Sequence, residues 1–241
     1  MAELVRLQRY ISQSGRASRR EAERMMLAGR VSVNGTVVTK MGVRVDPDSD
    51  EVAVDGESIG SSPVRWVAFH KPPGVLTTRA DPHGGVTIYD KLPSEFSQLR
   101  YVGRLDRDAE GLLLLTNDGE LSNALTHPKG GVEREYWLEV AGKVDLTAVD
   151  RLTAGVELDD GPARAVRARL ENSTRISSRL TLVLTEGRKR EVRRLLSAVG
   201  HPVMRLRRIR FGPLVLGSLG RGEWRDLRRK EIAALESAPR R

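Results

Sequence analysis

The sequence predicts an α+β protein in two parts, a small helical pair with a sheet followed by a larger, mixed and mainly antiparallel sheet with helices. Three observations carry this expectation. Residues up to about 60 change once from helical to strand periodicity, and from Val64 onward strand-like and helix-like segments alternate without a repeat. Between them, Gly60-Ser61-Ser62-Pro63 has the composition of a linker. The expected domains are therefore 1–60 and 66–241, joined by 61–65. At 241 residues with 39% hydrophobic content, the chain can build two cores.

In the first part, Leu7, Tyr10 and Ile11 mark one face of a short helix that Gly15 ends. A second helix starts at Ser18, where Ser18-Arg19-Arg20-Glu21 has the spacing of a capping box, and stops at Gly29. The period then drops to two, with Val31, Val33 and Val37 flanking Asn34-Gly35, a strong hairpin signal. A further strand, Glu51-Val52-Ala53-Val54, closes at Asp55-Gly56.

In the second part, Trp66-Val67-Ala68-Phe69 reads as a strand running into a Lys71-Pro72-Pro73-Gly74 turn. Leu112 to Leu115, Tyr136 to Val140, Leu180 to Leu184 and Val203 to Phe211 read as further strands. Val192, Leu195, Leu196 and Val199 share the apolar face of a helix that Gly200 ends. Along Val203 to Phe211 the apolar phase slips between Arg207 and Arg208, which predicts a β-bulge or bend there that turns both arginine pairs toward RNA. The Trp224 to Glu236 segment reads as helical.

Composition narrows the function. No cysteine is present, which removes disulfides and thiolate metal sites, and no apolar run approaches the roughly 18 residues of a membrane span. Met1-Ala2-Glu3-Leu4-Val5-Arg6 lacks a secretory apolar core, so the cytoplasm is the expected compartment. The formal net charge is +9. It is concentrated in two segments: residues 1–44 hold nine Lys/Arg against three acids, and 186–210 hold nine against two. Such clusters, rich in arginine, suit bidentate contact with RNA phosphates.

Three segments pair strand signals with polar residues that folding alone does not demand. In Gly103-Arg104-Leu105-Asp106, glycine permits a tight entry and Asp106 sits just before a buried leucine run. Glu133-Arg134-Glu135-Tyr136-Trp137 opens a strand with aromatic rings able to stack on bases. Glu186-Gly187-Arg188-Lys189-Arg190-Glu191-Val192-Arg193-Arg194 enters a helix with Arg193 at the border of its apolar face, where a buried arginine needs an acidic partner. Asp108 and Glu110 read as solvated loop charges beside Arg107. The alternative of an Asp106, Asp108, Glu110 metal site remains open at this point. His70, His83, His127 and His201 are too scattered to form one.

The pattern over residues 3–57, above all Gly29-Arg30-Val31-Ser32-Val33-Asn34-Gly35, resembles the S4 RNA-binding domain. The three later segments, in this order, resemble the RsuA/RluB branch of the pseudouridine synthases, which joins an S4 domain to a catalytic domain. That resemblance implies Asp106 as the essential aspartate, Tyr136 as the residue stacking on the target base and Arg193 as the basic partner of the aspartate. It implies Arg104 as the arginine that enters the space vacated by the flipped base.

Further strings, His70-Lys71-Pro72-Pro73-Gly74, Thr126-His127-Pro128, 156–162 and 205–212, are similar to the enzymes acting on large-subunit ribosomal RNA. The implied partner is ribosomal RNA, most closely 23S, with the chain acting as a monomer. Small-subunit 16S rRNA, or a non-catalytic role in ribosome assembly, remains an alternative. Arg16, Arg19, Arg20, Arg30, Arg188, Arg205, Arg207, Arg208 and Arg210 are the expected RNA-binding arginines beside Arg104. The isomerisation is neither redox nor hydrolytic, so no cofactor or metal is expected. A carboxylate can attack C1′ or take the C2′ proton.

Overall fold

The structure, a computed structural model, describes residues 4–60 and 62–240. Met1 to Glu3, Ser61 of the expected linker and Arg241 lie outside the described residues. The chain divides into two compact units. One comprises Met1–Arg65 with Gln98–Arg100 and Asn117–Gly119; the other comprises Trp66–Ser97, Tyr101–Thr116 and Glu120–Arg241.

In the first unit, β1 (Val5–Arg6) leads into α1 (Leu7–Gln13), and α2 spans Arg19–Leu27. The Ser18 side chain caps α2 by accepting from the Glu21 backbone N–H, as its position predicts. The strands β2 (Val31–Val33) and β3 (Thr36–Val37) meet across Asn34-Gly35, whose φ values of 49° and 76° are those of a two-residue hairpin turn. After β4 (Arg44–Val45), which pairs with β1, β5 (Val52–Val54) and β6 (Glu57–Ile59) form a second hairpin at Asp55-Gly56. The four-stranded order is β3-β2-β5-β6. Leu7, Tyr10 and Ile11 of α1, Ala22 and Met26 of α2, and Val31, Val52 and Val54 of the sheet close its core. The helical and strand periodicities therefore converge on one apolar interior.

The second unit is organised by a nine-stranded sheet. Its strands are β7 (Trp66–Lys71), β8 (Arg100–Val102), β9 (Glu110–Thr116), β10 (Arg134–Ala141), β13 (Arg167–Ser173), β14 (Ser177–Leu184), β15 (Val203–Phe211), β16 (Leu214–Val215) and β17 (Trp224–Asp226). A separate hairpin is formed by β11 (Val156–Leu158) and β12 (Gly161–Ala163). The helices are α3 (Gly119–Thr126), α4 (Leu146–Ala154), α5 (Glu191–Ala198) and α6 (Arg229–Ser237). The main order is β13-β14-β10-β15-β9-β7-β17, with β8 on β9 and β16 on β15. The β9–β15 pair is parallel, and the other pairs along that path are antiparallel. Among the described residues, no helix is long and apolar enough to cross a membrane.

Every residue of β9 is buried, which is why its sequence is a continuous leucine run rather than an alternation. Strand β10 alternates buried and half-buried residues along its whole length. Tyr136, Leu138 and Val140 face one side; Glu135, Trp137 and Glu139 face the other. Gly111 sits opposite Arg208 with φ of 118°, and a Cβ there would lie 2.3 Å from the Arg208 carbonyl oxygen. Only glycine permits this approach of β9 to β15.

Two sequence expectations are corrected. The strand irregularities in β15 skip Met204 and Ile209, not the step from Arg207 to Arg208, which pair in register with Trp137 and Tyr136. Arg207 and Arg208 therefore point to opposite faces. The Trp224 to Glu236 segment is not one helix: Trp224–Asp226 is a strand against β7, and α6 begins at Arg229. Three residues are too few for period two to register against a helical pattern.

Candidate active site

Asp106 lies on the loop between β8 and β9, entered through Gly103 at φ of 68°. Four neighbours fix that loop. The Thr77 hydroxyl donates to the Leu105 carbonyl at 2.8 Å and accepts from the Leu105 N–H at 3.3 Å. The Gly74 N–H donates to the Arg107 carbonyl at 2.7 Å. Lys71, with no solvent exposure, donates from Nζ to the carbonyls of Ala109 (2.7 Å), Pro72 (3.0 Å) and Arg107 (3.3 Å). Arg208 reaches the Arg104 carbonyl at 3.5 Å. Burial lowers the Lys71 pKa to about 8, against the opposing charges of Asp108 and Asp106. The carboxylate is thus mounted on a rigid edge of the sheet rather than on a free loop.

Asp106 and Tyr136 line the same cavity, together with Arg104, Leu206 and the α5 entry from Glu186 to Arg193. Tyr136 is buried at 8% exposure, while Arg104 is exposed at the rim. Arg190, immediately before α5, holds a left-handed backbone with φ of 52°. This conformation is uncommon for a side chain with a Cβ, and the other two residues that hold it among the described residues, Asn34 and Asp55, lie in hairpin turns. Its guanidinium lies 3.9 Å from Asp106 and 3.7 Å from Asp108.

Arg193 is largely buried, as its place at the border of the α5 face predicts, and it does have an acidic partner. That partner is Asp108, at 2.7 Å, rather than the expected Asp106; a second bond goes to the Val203 carbonyl at 3.0 Å. Asp108 therefore is not merely a solvated loop charge. Glu191 accepts from the Arg188 N–H at 3.0 Å, and burial raises its carboxyl pKa.

The expected RNA-binding arginines divide by location. Arg19 and Arg20 are exposed on α2, and Arg16 and Arg30 are exposed but paired with Glu57 at 3.0 Å and with Asp55 at 2.6 Å. Arg188 lines the cavity, yet it is engaged with Glu186 and the carbonyls of Gly161 and Pro162, clasping the β11–β12 hairpin. Arg205, Arg207 and Arg210 lie on the β15 face opposite Tyr136, opposite Glu139, Trp137 and Glu135 respectively. Arg208 is corrected: at 2% exposure, with Nε bonded to the Leu112 carbonyl at 2.8 Å, it cannot reach a phosphate.

Glu110 is also corrected. It is buried beneath Arg207 at 2.8 Å and Arg221 at 2.6 Å. Burial is the largest single influence and opposes its ionisation, but the hydrogen bonds and positive charges of Arg221 and Arg207 together hold its pKa below the usual carboxylate value. Among the described residues, no group of three His, Asp or Glu side chains is disposed to hold a metal.

A carboxylate and an aromatic ring thus share a cavity edged by arginines on a mixed sheet, in a chain that begins with a separate small unit of two helices and a sheet. The sequence pattern of the RNA pseudouridylate synthase family matches residues 65–198, and that of the S4 domain matches 5–52. The chain belongs to the RNA pseudouridylate synthase family and carries an S4 domain. It is 42% identical over 235 residues to an uncharacterized RNA pseudouridine synthase of Aquifex aeolicus, covering 97% of this chain and 94% of that protein. It is also 42% identical over 234 residues to the ribosomal large subunit pseudouridine synthase B of Vibrio cholerae, covering 94% of this chain and 73% of that one. A crystal structure of a pseudouridylate synthase superposes with a TM-score of 0.67 at 30% identity, over 96% of this chain and 99% of that chain.

Proposed function

We propose that this enzyme converts one uridine of large-subunit, 23S ribosomal RNA into pseudouridine, with Asp106 as the catalytic carboxylate and Tyr136 as the stacking ring. The observation that carries the assignment of roles is the convergence of Asp106 and Tyr136 on one cavity. The 42% identity to large-subunit synthases supports the choice of RNA. In this reading the chain acts on the RNA as a monomer.

The target base leaves its stack, at a cost of a few kcal/mol. Stacking on Tyr136 returns roughly 1 to 3 kcal/mol, and Arg104 at the rim fills the gap left behind. Ionised Asp106 attacks C1′ or takes the C2′ proton; either way the N1–C1′ bond breaks with its electron pair on the uracil. The uracil turns and C5 bonds to C1′ as the Asp106–C1′ ester bond breaks or, on the second route, as Asp106 returns the proton to C2′; the proton then leaving C5 is balanced by one gained at N1. Arg193 and Arg190 supply positive charge beside the two aspartates, and the S4 domain contributes exposed arginines on α2 to hold the RNA.

The test is Asp106→Asn on a 23S rRNA transcript. Pseudouridine formation is expected to vanish while the RNA Kd stays within about threefold, and an active variant would overturn the assignment. In cells lacking the protein, one 23S uridine should remain unmodified. A missing modification in 16S rRNA would instead move the substrate to the small subunit.

A further inference from the structure

Arg208 is a buried guanidinium that the chemistry above does not use. It stands directly opposite Tyr136 in the β10–β15 register, on the same face, with 2% exposure against 8% for the tyrosine. Its Nε donates to the Leu112 carbonyl, and another nitrogen reaches the Arg104 carbonyl two residues before Asp106. Its plane lies over the Phe211 ring at 5.3 Å. No carboxylate neutralises it among the ion pairs of the described residues, and its Nη2 atom is buried without a hydrogen-bond partner. Leaving such a donor unpaired is costly, so a buried arginine in this state calls for an explanation.

Tyr136 supplies one. It is the register partner of Arg208 on the same buried face, and its electrostatic influence on the guanidinium opposes the effect of burial. A guanidinium has five donors and no acceptor, so the phenol can meet it only through its oxygen. The phenolic proton is then directed away from Arg208. Contacts of this kind are commonly loose before substrate binds and tighten in the complex.

We propose that Arg208 is a positioning residue that fixes both the place and the hydrogen-bond polarity of the Tyr136 hydroxyl, and ties them to the Arg104–Asp106 loop. The ring is thereby held at a set separation from the catalytic carboxylate, with its hydroxyl presented as a donor. This rests on the reading of Tyr136 as the stacking residue, and it adds a role for the hydroxyl that stacking alone does not require.

The experiment is a double-mutant cycle on single-turnover pseudouridine formation with Tyr136→Phe, Arg208→Lys and both together, with RNA Kd and thermal midpoint measured alongside. Each single variant is expected to slow the chemical step about 10- to 30-fold with Kd within about threefold. The double variant should be no more than about threefold slower than the slower single, because both remove one shared interaction. Effects that multiply, or an Arg208→Lys rate within threefold of the parent, would overturn the proposal. If Arg208→Lys does not fold, Tyr136→Phe decides alone, since only the hydroxyl is removed. A tenfold or larger loss at unchanged Kd supports the proposal, and a loss under threefold overturns it. Asp106→Asn in the same assay tests the catalytic reading separately, and it can succeed where this cycle fails.

Discussion

Arg193 donates to Asp108 at 2.7 Å, while Asp106 makes its ion-pair contact with Arg190 at 3.9 Å. Two aspartates spaced two residues apart thus share two arginines from the start of α5. Arg193 has a second anchor in the Val203 carbonyl, so removing Asp108 should leave it oriented. Asp108→Asn is expected to lower kcat by about fivefold, the worth of roughly 1 kcal/mol for one half-exposed pair. Arg193→Met, which removes the buried cation itself, should cost at least about 100-fold. Equal losses in the two variants would show that Asp108 alone places Arg193.

Lys71 gives a pH signature to the loop that carries Asp106. Burial sets its pKa at about 8 in the folded protein, against 10.5 for a lysine side chain free in water. Below pH 8 the folded state bears the full cost of a buried ammonium, about 3 kcal/mol by linkage. Between pH 8 and 10.5 the folded state holds fewer protons than the unfolded chain, and that cost is progressively relieved. Stability of the parent relative to Lys71→Met should therefore rise by about 3 kcal/mol over this window, read from denaturant titrations. A difference that is flat with pH would contradict the burial of a charged lysine. The substitution also leaves the Pro72, Arg107 and Ala109 carbonyls without their donor, so loss of activity at pH 7 is expected as well.

The long strands β7, β9, β10, β14 and β15 and the helices α1, α2 and α5 were legible because period two, continuous apolar runs and period 3.6 leave different patterns. Asp106, Tyr136 and Arg104 were legible through motif order, and the structure brings all three to one cavity. The partner of Arg193 was not, because Asp106 and Asp108 sit on one loop and only three-dimensional geometry chooses between them. Arg190 was hidden for a related reason: a left-handed backbone at a non-glycine residue leaves no mark in sequence. Arg208 was misread as RNA-binding because a charged residue in a strand is ordinarily taken as exposed, and the bulge at Ile209 is what reverses the phase beyond it. Lys71 closes an apolar strand, and nothing local to it announces the three carbonyls it meets.

Acid should loosen α6. Glu231 accepts two bonds from Arg225, at 2.7 and 2.9 Å, and one from the Arg228 N–H at 2.8 Å, tying the first turn of the helix to β17. The Arg225 hydrogen bonds are the main cause holding its pKa down at about 2. A depressed carboxyl contributes stability above its unfolded value of about 4.5 and loses it as pH falls toward 2. Allowing for partial solvent screening, the contribution at pH 7 is about 1 to 2 kcal/mol. Glu231→Gln should lower the melting temperature by several degrees at pH 7, with the gap to the parent closing between pH 4.5 and 2. A gap that persists at pH 2 would assign the effect to packing.

The salt dependence of RNA binding tests where the contacts lie. If about six phosphates are neutralised, log affinity against log salt should fall with a slope of about −4 to −5. Arg208 is removed from the set of contacts by burial, whereas Arg19 and Arg20 are exposed on α2. Substituting Arg19 and Arg20 together by alanine should weaken RNA binding and make the slope shallower by about 1.5, since each lost phosphate contact accounts for 0.7 to 0.9 of it. The rate of isomerisation of RNA already bound should change little, because neither residue lines the Asp106 cavity. A slope unchanged by the double substitution would place the RNA on another surface, and a slope near zero in the parent would contradict electrostatic binding altogether.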